Sequence, residues 1–177
     1  ETGKIMKIKI LIVEDDPDGA RSITEAAEDA GFEVMLAMSG REGVDKFRND
    51  PTDLVLSDLV LPDIDGIEVM RQIRGMAPEI PVLIMTAYGS VESSVKAMHA
   101  GAYDYVTKPL DLNEIQSKLR RAAETGQLRR QVGRLSATVR DRFAATAMVA
   151  NSPAMRNVLR QIEALADTSA TVMIQGE

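Results

Sequence analysis

The chain has 177 residues, a net charge of −6, 45% apolar residues and only 3% aromatics. Its core must therefore be aliphatic, with the ten methionines as filler and not as metal ligands. The absence of cysteine excludes disulfides, thiolate metal sites and cysteine nucleophiles, and fits a reducing compartment.

No signal peptide is legible and no apolar run approaches the ~20 residues of a membrane span, so the expectation is a cytoplasmic chain. Met6 is a candidate start, which would make residues 1–5 an addition. KIKILIV (7–13) reads as a buried strand, followed by a helix over 17–30 that Gly31 stops. FEVMLAM (32–38) is a second strand and 41–48 a second helix. DLVLSD (53–58) and a helix over 66–76 form the third pair. PVLIMT (81–86) precedes a helix from about Ser90 to Ala100, and YDYVTK (103–108) is a shorter fifth strand. Asp111 then caps a long helix. Apolar strands alternating with amphipathic helices predict a parallel sheet covered on both faces. The expected fold is α/β, a flavodoxin-like doubly wound five-stranded sheet of order 2-1-3-4-5 with an extended C-terminal linker helix.

Such sheets bind ligands beyond the carboxyl ends of their strands, where the strand order reverses. Glu14, Asp15 and Asp16 follow the first strand, Asp58 ends the third, Thr86 ends the fourth and Lys108 ends the fifth. Clustered carboxylates repel unless a cation is present, and oxygen-only ligands suit Mg²⁺. A lysine beside them can neutralise an incoming phosphoryl group, and a carboxylate can accept that group as an aspartyl phosphate. In LPDIDG (61–66), Pro62, Asp63, Asp65 and Gly66 read as a turn and cap, with Gly66 permitting an unusual φ. His99, the only histidine, reads as an ordinary surface residue.

ILIVEDDPDGAR, DLVLSDLVLPDIDGIEVMRQIR, PVLIMTAYG and AGAYDYVTKPLDLNEI together resemble the receiver domain of two-component response regulators. The resemblance implies Asp58 as phosphoacceptor, and Mg²⁺ held by Glu14, Asp15, Asp58 and the backbone carbonyl of Val60. Asp16 receives no ligand role. It implies Lys108 and Thr86 as assisting groups, Thr86 and Tyr105 as a switch pair, a sensor histidine kinase as partner, and a cis Lys108-Pro109 bond. The alternative is a dehalogenase-type phosphatase, since DIDGI resembles that family's DxDG signature and would make Asp63 the nucleophile. Pro62 between strand and motif speaks against it.

The receiver is expected to span 6–122. Leu112, Ile115, Leu119 and Ala122 form one apolar stripe, its phase breaks at Gly126, and Leu128, Val132, Leu135 and Val139 form another. Residues 123–145 are thus a linker helix, a possible coiled coil, expected to join the receiver in forming a homodimer. Residues 1–117 carry 11 Lys/Arg against 22 Asp/Glu, a net of −11, whereas 118–142 carry 8 against 2, a net of +6. The arginines interleave with the stripe, so a solvated helix face is expected, not direct nucleic-acid binding. From VANSPAM through TVMIQGE, residues 149–177 resemble the opening of the AAA+ ATPase domain of sigma-54-dependent, nitrogen-regulator-type transcription activators, so 146–177 is expected to be the truncated start of that domain. The phosphate-loop lysine is not reached, so ATP is expected to bind only a longer parent. A receiver acting by protein contact alone is the remaining alternative.

Overall fold

The computed structural model describes residues 7–86 and 91–145, together with 152, 153, 155, 157, 158, 160, 161 and 173; side chains are described for 7–86, 95–136 and those later single residues. The strands are β1 (Lys9–Val13), β2 (Glu33–Ala37), β3 (Leu54–Asp58), β4 (Val82–Thr86) and β5 (Asp104–Thr107). The helices are α1 (Pro17–Asp29), α2 (Gly40–Asn49), α3 (Gly66–Met76), α4 (Val91–His99) and α5 (Leu112–Ala145). The sheet is parallel throughout, in the order β2-β1-β3-β4-β5, as the alternation of strand and helix predicts.

Two-residue periodicity divides the core between the two faces of the sheet. Ile10, Ile12, Leu54, Leu56, Leu83 and Met85 pack with Ile23 and Ala27 of α1 and with Ile115, Leu119 and Ala122 of α5. Leu11, Val13, Val55, Val82 and Ile84 pack with Val44 and Phe47 of α2, Val69 and Ile73 of α3, and Ala97 of α4. Strands buried on both faces explain the unbroken apolar runs. Their charged residues are confined to the ends.

α1, α3 and α5 start on aspartate side chains. Asp16 accepts the Gly19 N–H at 2.8 Å, Asp65 the Glu68 N–H at 2.8 Å, and Asp111 the N–H groups of Asn113 and Glu114 at 2.8 and 3.2 Å. Each satisfies donors that a helix start leaves without intrahelical partners. Gly31 ends α1 at φ +91°, a conformation that suits glycine.

Gly66 departs from the sequence reading, because its φ is not in the positive region. Glycine is needed there for space: a Cβ would overlap the Asp58 carbonyl oxygen and stand 3.1 Å from Leu59 Cα. The Gly66 N–H also donates to the Leu59 carbonyl at 2.9 Å, drawing the start of α3 against the end of β3. Gly66→Ala is expected to lower the unfolding free energy by about 1–3 kcal/mol, the usual penalty for overpacking. Urea titration reads this directly, and an unchanged midpoint would show that the loop yields.

One compact unit runs through Arg134 and a second comprises 135–177. α5 continues unbroken through Gly126, which is buried. In the second unit Ser152 Oγ accepts the Met155 N–H at 3.1 Å and Pro153 is helical, the expected Ser-Pro helix start. Residues 1–5, the start of α4 at Ser90, and nearly all of TVMIQGE lie outside the described residues.

Candidate functional site

Because β1 and β3 are hydrogen-bonded neighbours with Val13 opposite Ser57, their next residues meet at the carboxyl edge. Glu14 is wholly buried, Asp58 nearly so, and Asp15 is exposed. One carboxylate oxygen from each of the three lies within 4.8 Å of the others. Lys108, just past β5, sends Nζ between two of them. It ion-pairs with Asp58 Oδ2 and, at 2.7 Å, with Glu14 Oε2. The Lys108 N–H donates to the Thr86 carbonyl at 2.8 Å, and the Lys108-Pro109 bond is cis. Asp58 Oδ1 accepts the Val60 N–H at 3.1 Å, which brings Val60, 71% exposed, beside the acids.

The balance of charge favours a further cation. Burial pushes the Glu14 carboxyl above its ordinary range; the Lys108 hydrogen bond opposes this and the neighbouring Asp58 charge adds to it. Lys108 is itself held above its usual value. Desolvation works against its charge, but the bonds to Asp58 and Glu14 outweigh that, so the ammonium persists. Three carboxylates nevertheless face one ammonium. Among the described residues, Glu14 Oε2 has the Lys108 ammonium as its single partner. A buried carboxylate oxygen left in that state, within an all-oxygen donor set, fits a hard divalent cation.

The model of the response regulator receiver domain matches residues 10–120. This chain belongs to the response regulators. Its receiver domain is also similar to solved ones. A CheY-like receiver from Methanospirillum hungatei JF-1 aligns at TM-score 0.64 and 31% identity, over 68% of this chain and 97% of that one. Similarity extends past the receiver. The transcriptional regulatory protein ZraR of Escherichia coli K12 is 39% identical over 171 residues, covering 96% of this chain and 37% of ZraR. The regulatory protein AtoC of the same strain is 34% identical, with the same two coverages. NtrX from Brucella abortus, solved in complex with ATP, aligns at TM-score 0.69 and 28% identity over 92% of this chain and 35% of that one. The chain thus spans little more than a third of the length of these longer regulators.

The other residues singled out from sequence take definite places in the receiver. Thr86 ends β4, buried, one residue past the Asp58–Met85 pair. Tyr105 lies half-buried on β5; Lys118 of α5 donates to its carbonyl, and that ammonium stands 5.2 Å from the ring centroid. Lys118 also ion-pairs with Asp104 and Glu114 at 3.4 and 3.2 Å. Asp16 is engaged as the cap of α1, and His99 is exposed on α4.

Asp63 does something that the sequence did not reveal. Its carboxylate accepts the N–H groups of Gly40 and Arg41 at 2.8 and 2.9 Å and that of Ile64 at 2.8 Å. It therefore closes the start of α2, more than twenty residues away, and is committed as a tertiary cap instead of standing free as a nucleophile. Partial withdrawal from water raises this carboxyl, but the donors of Arg41, Ile64, Gly40 and Ser39 outweigh it and bring it from 3.8 to about 2. A depressed carboxyl stabilises the fold above its unfolded value and loses that contribution as pH falls through the folded one. Asp63→Ala is expected to cost about 1 kcal/mol at neutral pH, as for loss of a helix cap. The gap from the native protein should close as pH falls from 3.8 towards 2. Thermal melts across that range test the sign: a gap that widens on acidification refutes the capping account.

Proposed function

We propose that the receiver accepts a phosphoryl group on Asp58 from a sensor histidine kinase and so controls the output of a longer sigma-54-dependent transcription activator. The supporting observation is the convergence of Glu14, Asp15, Asp58 and Lys108 on one sheet edge, in a chain whose receiver family and longer relatives agree with it. Glu14, Asp15 and Asp58, with the Val60 carbonyl, are the residues proposed to hold Mg²⁺. When bound, that ion would neutralise charge on the phosphoryl oxygens.

The chain's own groups have distinct tasks. An Asp58 carboxylate oxygen attacks phosphorus in line; the O–P bond forms as the donor imidazole's N–P bond breaks, and the electron pair leaves with the imidazole. Lys108, already paired with Asp58, donates to an equatorial oxygen, and its raised pKa keeps it protonated for that task. The new phosphate offers strong acceptors that draw in the Thr86 hydroxyl. Tyr105 then turns into the vacated space and repacks α4, β5 and α5. Phosphorylation biases two arrangements of one fold instead of building a second fold.

In the parent protein this change would rearrange a dimer formed through the receiver and the linker helix, restraining or releasing an ATPase domain that begins near residue 146. ATP would serve only that longer protein, and this portion would make no direct nucleic-acid contact. No described helix is long and apolar enough to cross a membrane. Sedimentation with and without beryllofluoride and Mg²⁺ tests the switching part. A change in assembly that requires both reagents supports it, and identical mass under every condition refutes it.

A further inference from the structure

Several observations meet on α5 at the amino end of the sheet, opposite the acidic site. At buried Gly126 a Cβ would stand 2.9 Å from Pro81 Cδ and 3.4 Å from the Asp53 carbonyl oxygen, so the helix lies there without room for a side chain. One turn later Arg130 donates from Nη2 to Asp53 Oδ1 at 2.7 Å and from Nη1 to the Asp53 carbonyl at 3.3 Å. Asp53 is no loose surface acid. Its Oδ2 accepts the Lys9 N–H at 2.8 Å, and its own N–H donates to the Lys9 carbonyl at 2.8 Å. The Arg130 side chain, 20% exposed, therefore grips a residue fixed to the starts of both β1 and β3.

The opposite side of the helix carries the second apolar stripe. At about 100° per residue, Gly126 and Arg130 share one side of α5, while Leu128 and Val132 project away from it. Those two are 63% and 62% exposed. A fork bonded twice to one residue fixes rotation as well as distance.

We propose that Arg130 is a positioning residue: with the Gly126–Pro81 notch it locks the rotational phase and direction of α5 up to Arg134. The Leu128–Val132 stripe is thereby held facing away from the sheet. The outgoing helix moves as one piece with the receiver because it is clamped at the edge remote from Asp58. This latch stands on the contacts of Asp53, Gly126 and Arg130 and holds whether or not Asp58 is the phosphoacceptor.

The cysteine-free sequence allows a direct test in the 177-residue chain. Spin labels on Leu128→Cys and Asn49→Cys, with the labelled chain diluted in excess unlabelled chain so that only distances within one chain are read, should give one narrow distance distribution with Arg130 present. It should broaden in Arg130→Met and recover partly in Arg130→Lys, which keeps the charge but not the fork. Amide exchange over 124–134 should rise about tenfold in Arg130→Met, the loss expected for a charged hydrogen bond, with 54–58 and 82–86 unchanged. An unaltered distribution in Arg130→Met overturns the proposal. So does faster exchange across the whole sheet, which would make Arg130 a residue of general stability.

Discussion

Asp58→Asn protein will take up no phosphoryl group from a small phosphodonor such as acetyl phosphate in the presence of Mg²⁺, whereas the native chain will gain one. Asparagine preserves the shape and still accepts the Val60 N–H, so the fold should persist while the nucleophilic carboxylate is gone. Intact-mass spectrometry provides the readout. The same measurement on Asp63→Ala separates the two acylphosphate readings: labelling should survive there, because Asp63 is occupied by two backbone donors at the start of α2 and by the Ile64 N–H of its own loop. Full labelling of Asp58→Asn would move the chemistry to another residue and end the proposed mechanism.

Lys108→Met should have the next largest effect, with two components that respond differently to Mg²⁺. The rate of phosphoryl uptake should fall by about 10²–10³-fold, the usual cost of removing one preorganised donor to transition-state charge. The metal-free domain should also lose about 2–3 kcal/mol, because Glu14 and Asp58 would remain buried without their shared ammonium. That figure is set below the cost of breaking a fully buried pair because Lys108 is partly exposed. Adding Mg²⁺ should recover part of the stability by binding only the folded state, but little of the rate. Chemical denaturation with and without the ion checks this. A variant as stable as the native chain without Mg²⁺ would mean that the acids tolerate one another unaided.

The sequence revealed much of the fold because its apolar runs are interrupted almost only at strand ends. Four of the helices, α1, α2, α3 and α5, also begin on a short polar side chain that bonds its own first turn, at Asp16, Ser39, Asp65 and Asp111. The acidic edge was legible for a related reason: parallel strands all deliver their last residues to one side, so Glu14, Asp58, Thr86 and Lys108 can be placed by counting. Contacts that cross elements at arbitrary separation were not legible. Nothing in LPDIDG indicates that Asp63 reaches α2, and nothing near Arg130 points to Asp53, 77 residues earlier. Gly66 shows a subtler failure. The residue type was read as a torsional requirement, when the cause is the closeness of the Asp58 carbonyl, which only the packed chain reveals.

The seat of α5 bears on how this receiver could be joined to other modules. A splice placed after Ala122, where the first apolar stripe ends, would sever the Gly126 notch and the Arg130 fork and leave Pro81 uncovered. A splice placed after Arg134 would carry both across intact. A hybrid regulator cut at the later position would inherit a helix of defined bearing, whereas one cut at the earlier position would receive a swivel.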